Sequence, residues 1–182
     1  MARPDRISGQ SLSNGKQRMA TEITPENFRK ASGLWATGVS IVTTVDEHGT
    51  PYGLTMNSVT SLSLNPPLYL VNVDNGSDTL APMLATRGFC INVLANDQQE
   101  LSNRFAKKGD DKFQNVTHEI GTSGAPRLAG SLMNIDCRIN AVHAGGDHQI
   151  VVGEVLTIVS ADLESGVKPL LYFGGRYADI AE

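Results

Sequence analysis

The chain is poor in the residues and patterns that mark several large classes of protein. Only 5% of its 182 residues are aromatic, and it holds a single tryptophan and two cysteines, Cys90 and Cys137. Two cysteines so far apart form neither a zinc-binding pattern nor a disulfide framework, so we expect both to be reduced, structural residues of a cytoplasmic protein. No apolar run approaches the roughly 18 residues of a transmembrane helix, and the N-terminus has no apolar signal-peptide core.

Charge is also scarce, at 19% of residues, and the net charge is −4. A chain that is acidic overall is a poor general binder of nucleic acid, because neutralising phosphate backbones needs clustered lysines and arginines, so we expect no nucleic-acid partner. The absence of a transmembrane run likewise predicts no membrane partner. The hydrophobic fraction of 40% excludes a wholly disordered chain. A chain of this length can bury a core of its own, which predicts one globular domain.

The best-known catalytic motifs are missing from the sequence. It contains no Gly-rich loop with dinucleotide-binding spacing, no P-loop, no His-Glu-x-x-His run and no Gly-x-Ser-x-Gly elbow. The four histidines have no i,i+4 spacing that would suit metal ligands. Hydrolase and metalloenzyme functions therefore have little support, and we predict no metal site.

Local patterns predict a flexible tail at residues 1–23, rich in polar residues, followed by one domain at 24–182. Thr24 and Pro25 suit the start of a helix that Gly38 would end. Further helices are predicted at about 77–85 and around Leu101 and Phe105. Many short strands between so few helices indicate a mainly β protein, a closed antiparallel β-barrel with strands at 39–45, 52–64, 68–73, 89–95, 131–144, 149–160 and 170–173.

Four segments stand out as candidates for function, each with a structural alternative. The polar run at 55–63 is either a solvent-facing strand or a surface for a polar, anionic ligand. The basic cluster at 104–108 either complements a helix dipole or holds a phosphate. The turn at 145–148 is either a plain hairpin or a mobile loop that presents His148. The aromatic residues around two glycines at 172–177 either end a strand or approach a planar ring.

Taken in order, these segments resemble the short-chain flavin reductase family, the reductase components of two-component flavin-dependent monooxygenases. The resemblance runs from about Phe28 to Tyr177, and each matching piece is weak alone. The matching stretches are Phe28-Arg29 to Thr37-Gly38-Val39, Gly53 to Pro67, Phe89 to Leu94, Leu101 to Phe105, Asp111-Lys112-Phe113, Gly146-Asp147-His148 and Pro169 to Tyr172.

The resemblance implies a split β-barrel, a homodimer, and hydride transfer from NADH or NADPH to FMN or FAD. The reduced flavin would then pass to a separate monooxygenase. The family implies no catalytic acid or base, because the flavin supplies the chemistry and His148 would only orient the nucleotide. The flavin-binding residues implied are Thr55, Met56, Asn57, Ser58, Val59, Ser61, Leu62, Ser77, Asn92, Leu94, Ala95, Ser102, Arg104 and Lys108. The nucleotide-binding residues implied are Gly146, Asp147, His148, Tyr172, Phe173, Gly174, Gly175 and Tyr177.

Three alternatives stay open at this point. The barrel could bind flavin without catalysis, as a redox-sensing module. It could be a structural or adaptor barrel with no ligand. An activity like that of pyridoxamine-phosphate oxidases, which use a related barrel, would need a basic pocket for a second phosphate, and the sequence outside the tail has one main basic cluster, at 104–108.

Overall fold

The structure, a computed structural model, describes residues 20–109 and 111–180; residues 1–19 of the predicted tail lie outside the described residues. The helices of the described part are α1 (Pro25–Ser32), α2 (Leu80–Thr86) and α3 (Gln99–Phe105), with short 3-10 turns at Asn96–Gln98, Asp111–Phe113 and Leu163–Ser165. None of these helices is long and apolar enough to cross a membrane. The strands are β1 (Thr37–Gly38), β2 (Ser40–Val45), β3 (Pro51–Met56), β4 (Val59–Leu64), β5 (Pro67–Asp74), β6 (Gly88–Val93), β7 (His118–Ile120), β8 (Pro126–Leu128), β9 (Met133–Gly145), β10 (His148–Ser160), β11 (Leu171–Phe173) and β12 (Arg176–Ala178).

Seven strands form one antiparallel sheet in the order β3-β2-β6-β9-β10-β5-β4. The two edge strands, β3 and β4, follow each other in the chain with only Asn57 and Ser58 between them. The three peptide units that join Met56 to Val59 span at most about 11 Å, so the sheet has to curl until its edges approach. This mainly β, split-barrel architecture confirms the predicted fold class.

The continuous strand predicted at 52–64 is wrong, because the chain changes sheet edge at Asn57. Met56 pairs with Ser40 of β2. Ser58 instead turns to β5, where its carbonyl accepts from the Asn72 amide at 3.1 Å and its hydroxyl donates to the Asn72 carbonyl at 3.1 Å. The polar residues of 55–63 therefore belong to two strands and do not share one face.

Helix α1 begins as predicted and ends earlier than predicted. The Thr24 hydroxyl accepts from the Asn27 amide at 3.2 Å, and proline occupies the first turn. The helix ends at Ser32, with Gly33 as its C-cap, so the predicted end at Gly38 is wrong. The helix buries none of its own residues, and Phe28 is 65% exposed.

The longest hairpin, β9–β10, confirms the turn predicted at 145–147. Gly145 pairs with His148 across a two-residue turn whose Gly146 has a φ of 70°, a conformation that glycine adopts without steric cost. β9 and β10 each run for 13 residues and form the centre of the curled sheet.

The core has two parts that lie on either side of the sheet's curved wall. The larger cluster fills the barrel and includes the fully buried Phe89, Ile91 and Ile135. The smaller cluster packs beneath α3 and includes Phe105 and Leu128. Burial of this apolar surface, at about 25 cal/mol per Å², is the main force that stabilises the barrel.

Both cysteines belong to the buried interior and are free thiols. They lie on the neighbouring strands β6 and β9. Burial raises the pKa of the Cys137 thiol to about 12, and burial raises the pKa of Cys90 still further. Thiols that stay protonated at neutral pH are poor nucleophiles, which agrees with the predicted structural role.

We predict that Gly153→Ala destabilises the fold. A Cβ at Gly153 would collide with the Phe89 ring and come within 2.8 Å of Cys137 Cβ, and both neighbours are fully buried. Overpacking of this kind costs about 1–3 kcal/mol. Urea denaturation measures the loss of unfolding free energy. Gly38→Ala is the matched control, because a Cβ there meets nothing within 4 Å. Equal stabilities for the two variants would contradict the prediction.

Candidate functional site

A cleft with two chambers runs along the end of β3. The main chamber, of about 640 Å³, is lined by Thr55, Met56 and Asn57 on one wall. The lysine chamber, of about 230 Å³, is lined by Lys107, Lys108 and Lys112. The two chambers share Thr55 and Ala106 in their linings, so they adjoin each other, and together they are called the cleft below.

Helix α3 fixes the wall that the two chambers share. The Phe105 ring packs directly over Gly53, where a Cβ would come within 2.8 Å of the ring. The Thr55 hydroxyl donates to the Ser102 carbonyl at 2.6 Å. Because Ser102 and Phe105 are buried, β3 and α3 hold each other in place. Asn57, one residue beyond β3, is exposed and makes no side-chain hydrogen bond within the described residues, so its amide is available to a ligand.

A short hairpin, β11–β12, forms the opposite wall of the main chamber. Tyr172 and Tyr177 pair across it, with their rings in edge contact at 5.5 Å. The Tyr177 hydroxyl hydrogen-bonds at 2.9 Å to Ser102 Oγ and to Asn103 Oδ1. The turn is held from outside, because the Gly174 amide donates to the Gly33 carbonyl at 2.7 Å. The aromatic wall is therefore fixed to α3 and to the end of α1.

The lysine chamber concentrates positive charge at the other end of the cleft. Lys112 Nζ donates to the Gly53 carbonyl at 3.0 Å, and Lys108 Nζ lies 3.3 Å from the Gly76 carbonyl. Burial lowers the pKa of Lys112, and the Asp78 carboxylate opposes that shift. Asp74 and Asp78 also line the chamber, beside Ser77. Its polar groups suit a phosphate that the lysines attract and a hydroxyl orients.

The predicted nucleotide loop lies beside the lysine chamber and lines neither chamber. His148 Nδ1 is 2.7 Å from Asp147 Oδ1, and this hydrogen bond, with the His148 charge, lowers the pKa of Asp147. The Asn75 amide donates to the Asp147 carbonyl at 3.0 Å. This contact joins the hairpin tip to the 74–78 loop, which supplies Asp74 and Gly76 to the lysine chamber.

The two chambers bring together nine of the 22 residues that the resemblance implied. Those that line the main chamber are Thr55, Met56, Asn57, Ser102, Tyr172, Gly175 and Tyr177. Those that line the lysine chamber are Thr55, Ser77 and Lys108. Arg104 lines a neighbouring basic pocket, and its guanidinium donates to the Gln114 carbonyl at 2.8 Å.

Other implied residues lie away from the cleft. Ser58 and Val59 line a separate pocket beside α1, and Asn57 also lines that pocket. The remaining ones line neither chamber of the cleft: Ser61, Leu62, Asn92, Leu94, Ala95, Gly146, Asp147, His148, Phe173 and Gly174.

Asn92 has a structural role that explains its position. Its side chain is fully buried, and its amide nitrogen donates to the Ile41 carbonyl at 2.9 Å. Its oxygen accepts from the Leu128 amide and from Asn134 Nδ2, each at 2.8 Å. These bonds satisfy a buried polar group and tie β6 to β2, β8 and β9. Leu94 and Ala95 are also buried, in and beside the smaller core cluster.

Sequence reasoning missed several residues of the cleft. Lys112 lies in a stretch that carried the family resemblance, and Arg176 lies in the aromatic segment, yet neither was singled out. Both are long cations in polar segments, where sequence alone does not show which way a side chain extends. Other lining residues that were missed include Asp78, Gln99 and Asn103.

The arrangement suits a planar ligand with an anionic end. The lining of the main chamber is mostly polar and uncharged, with two tyrosine rings and one cation, Arg176. The adjoining chamber carries three lysines and two aspartates. A flavin has this division between a neutral ring system and a phosphate, so the residues present fit it. No group of three His, Cys, Asp or Glu within residues 20–109 and 111–180 is placed to hold a metal ion.

Comparison with known proteins also indicates a protein that acts on flavin. Residues 32–181 match the family described as flavin reductase like domain. The chain is 39% identical over 161 residues to the reductase subunit HsaB of a flavin-dependent monooxygenase from Rhodococcus jostii, covering 88% of this chain and 80% of that protein. It is 36% identical to a flavin reductase of Pseudomonas putida, covering 87% of this chain and 92% of that protein.

Solved structures agree with the sequence comparison. Component B of a nitrilotriacetate monooxygenase from Mycobacterium thermoresistibile superimposes with a TM-score of 0.81 at 38% identity, covering 86% of each chain. An NADH:FAD oxidoreductase of Streptomyces globisporus superimposes with a TM-score of 0.82 at 33% identity, covering 91% of this chain and 100% of that one. The match of family, sequence and fold over most of its length makes this chain a member of the flavin reductase like domain family.

Proposed function

We propose that the protein transfers a hydride from a reduced nicotinamide nucleotide to a flavin and supplies the reduced flavin to a separate monooxygenase. The observation that carries this proposal is the pair of adjoining chambers, in which a chamber for a ring, lined mainly by uncharged groups, lies next to a lysine-rich chamber for a phosphate. The names of the relatives support the proposal, since several are reductase components or subunits of flavin-dependent monooxygenases.

In the proposed complex, Thr55, Met56 and Asn57 line the flavin ring, and Ser77, Lys108 and Lys112 hold its phosphate. The bound flavin supplies the hydride acceptor. The protein's contribution is alignment, because hydride transfer requires the donor and acceptor rings to stack at about 3–3.5 Å. The exposed Asn57 amide can donate to a ring oxygen or nitrogen and so favour the charge that develops on reduction. Among residues 20–109 and 111–180, none that lines the main chamber carries a carboxylate or an imidazole, and we assign no residue as a general acid or base.

The choice of flavin and of nucleotide is a finer proposal. We propose NADH as the donor, which is supported by relatives named FMN reductase (NADH), from Agrobacterium fabrum, and NADH:FAD oxidoreductase. Those two names differ in the flavin, so either FMN or FAD is compatible with the family. The two buried free thiols agree with a reducing compartment, and we keep the cytoplasm as the proposed location.

We also propose a homodimer, formed through the surface around α1. Three apolar side chains are widely exposed there: Phe28 at 65%, Leu34 at 69% and Trp35 at 78%. Helix α1 buries no residue in its own chain, and a pocket of about 880 Å³ lies between it and Asn57. A second copy would cover this apolar surface and would lie beside the main chamber, which also contacts Asn57.

The reductase assay is the primary test. Purified protein should oxidise NADH when FMN or FAD is added and show little oxidation without flavin, because the chain supplies alignment and the flavin accepts the hydride. Absorbance at the nicotinamide band measures the rate for each flavin and each nucleotide. Tight flavin binding with no NADH oxidation would favour a non-enzymatic flavin-binding module, and no flavin binding would favour a structural barrel.

Lys112→Met should weaken FMN binding by about 10- to 100-fold, because a hydrogen bond to a charged group is worth about 1.5–3 kcal/mol. Riboflavin, which lacks the phosphate, should bind the variant and the wild type almost equally. Quenching of flavin fluorescence measures both affinities. Lys30→Met is the matched control, since Lys30 pairs only with Glu26 on the exposed face of α1. An equal loss of affinity for FMN and for riboflavin would show that the lysine chamber does not bind the phosphate.

Sedimentation velocity tests the proposed dimer. The wild type should sediment as a dimer, and Trp35→Glu should shift it towards the monomer, because a buried, unpaired carboxylate at an interface is strongly unfavourable. Ile120→Glu changes an apolar residue of similar exposure, 63%, on the separate β7–β8 sheet and should leave the dimer intact. A monomeric, active wild-type protein would contradict the proposal.

A further inference from the structure

Of the residues that the structure describes, Arg176 is the one charged residue that lines the main chamber. The other lining residues are uncharged, and they include Asn57, Asn103 and the two tyrosines. Within the described residues, the Arg176 guanidinium forms no hydrogen bond and no ion pair. A cation is therefore present at a neutral cavity without a counter-charge from the protein.

The backbone that carries Arg176 is held firmly. Arg176 pairs with Phe173 across the β11–β12 hairpin. The next residue, Tyr177, is hydrogen-bonded to α3, and the turn before it is bonded to Gly33. The hairpin thus fixes where the arginine side chain begins, while the side chain itself keeps its conformational freedom. Ordering that side chain costs free energy, which a strong anionic partner would offset.

The position of Arg176 differs from that of the lysines. Lys107, Lys108 and Lys112 line the lysine chamber, and Arg176 lines only the main chamber. If the lysines hold the phosphate next to the flavin ring, as proposed above, that phosphate does not need Arg176. A second cationic position in the same cleft suits a second anionic group.

The chemistry of arginine narrows the choice of anion. Its planar guanidinium donates two parallel hydrogen bonds to adjacent oxygens, which matches a phosphate or diphosphate. The reaction proposed above brings at least one dinucleotide, the nicotinamide nucleotide, into the cleft. A dinucleotide carries a diphosphate, which a mononucleotide such as FMN lacks. We propose that Arg176 binds the diphosphate of a dinucleotide in the main chamber. This inference rests on the proposed function for the ligand that delivers the diphosphate.

Two sources of that diphosphate exist, the nicotinamide dinucleotide and FAD, and binding measurements distinguish them. The variants are Arg176→Gln, which removes the charge, and Arg176→Lys, which keeps the charge without the planar donor pair. Fluorescence quenching gives the affinities of FAD, FMN and riboflavin. Calorimetry gives the affinities of NAD⁺ and nicotinamide riboside for the FMN-loaded protein, and of ADP and adenosine for the protein alone.

Arg176→Gln should weaken binding of ADP, and of NAD⁺ or FAD, by about 10- to 100-fold, the range expected for loss of a charge-assisted pair of hydrogen bonds. Adenosine, riboflavin and nicotinamide riboside should bind almost as before, and Arg176→Lys should recover part of the loss. A loss confined to NAD⁺ assigns the subsite to the nicotinamide nucleotide, and a loss confined to FAD relative to FMN assigns it to the flavin.

Arg138→Gln is the control, because Arg138 is an exposed arginine on β9 that pairs with Glu154. It should leave all of these affinities unchanged. The proposal is overturned if Arg176→Gln leaves ADP, NAD⁺ and FAD unaffected, or if it weakens riboflavin and nicotinamide riboside as much as the dinucleotides. If the wild type binds no flavin but binds ADP through Arg176, the proposed function fails while the diphosphate subsite stands.

Discussion

The site depends on one constraint of the fold, the two-residue connection between the opposite edges of the sheet. β3 pairs with β2 at one edge and β4 pairs with β5 at the other, yet Asn57 and Ser58 alone separate them. The sheet has to curl to meet this connection, and the regular ladder of β3 stops at Met56. Residues just beyond a hydrogen-bonded β-ladder have backbone N–H and C=O groups that form no hydrogen bond within the sheet. The cleft forms where those groups are exposed.

Two neighbouring elements turn this opening into a cleft of definite shape. α3 is held by the Phe105 ring against Gly53 and by the bond from Thr55 to Ser102. The β11–β12 hairpin is held against α3 by Tyr177. Each wall is therefore fixed by contacts within the protein, so a ligand does not have to order the walls when it binds. Such preorganisation favours both affinity and alignment of reacting rings.

The sequence correctly predicted the structural features that depend on residues close together in the chain. The capping threonine before Pro25 and the glycine turn before His148 are short-range signals, and both were confirmed. The break at Asn57 was missed, because the residues on both sides of it favour strands and the cause is the distant pairing of each half. Asn92 was predicted to contact the flavin because the family resemblance implied it. Its sequence neighbours do not reveal the partners that satisfy its side chain, Leu128 and Ile41, which lie 36 and 51 positions away. The aromatic segment was predicted near the site, whereas the direction of Arg176 depends on tertiary structure.

The distribution of charge relates the cleft to the proposed role. The cations lie at the lysine chamber and at Arg176, and the wall between them is neutral. Ligands would therefore be held mainly through their phosphates, at partly exposed groups whose attraction solvent and salt weaken. A neutral wall adds no ionic attraction for a reduced ring, whose charge it stabilises only through hydrogen bonds such as the one available from Asn57. A reductase that has to release its reduced product benefits from both properties, because strong, selective binding of the reduced flavin would slow its transfer to an oxygenase.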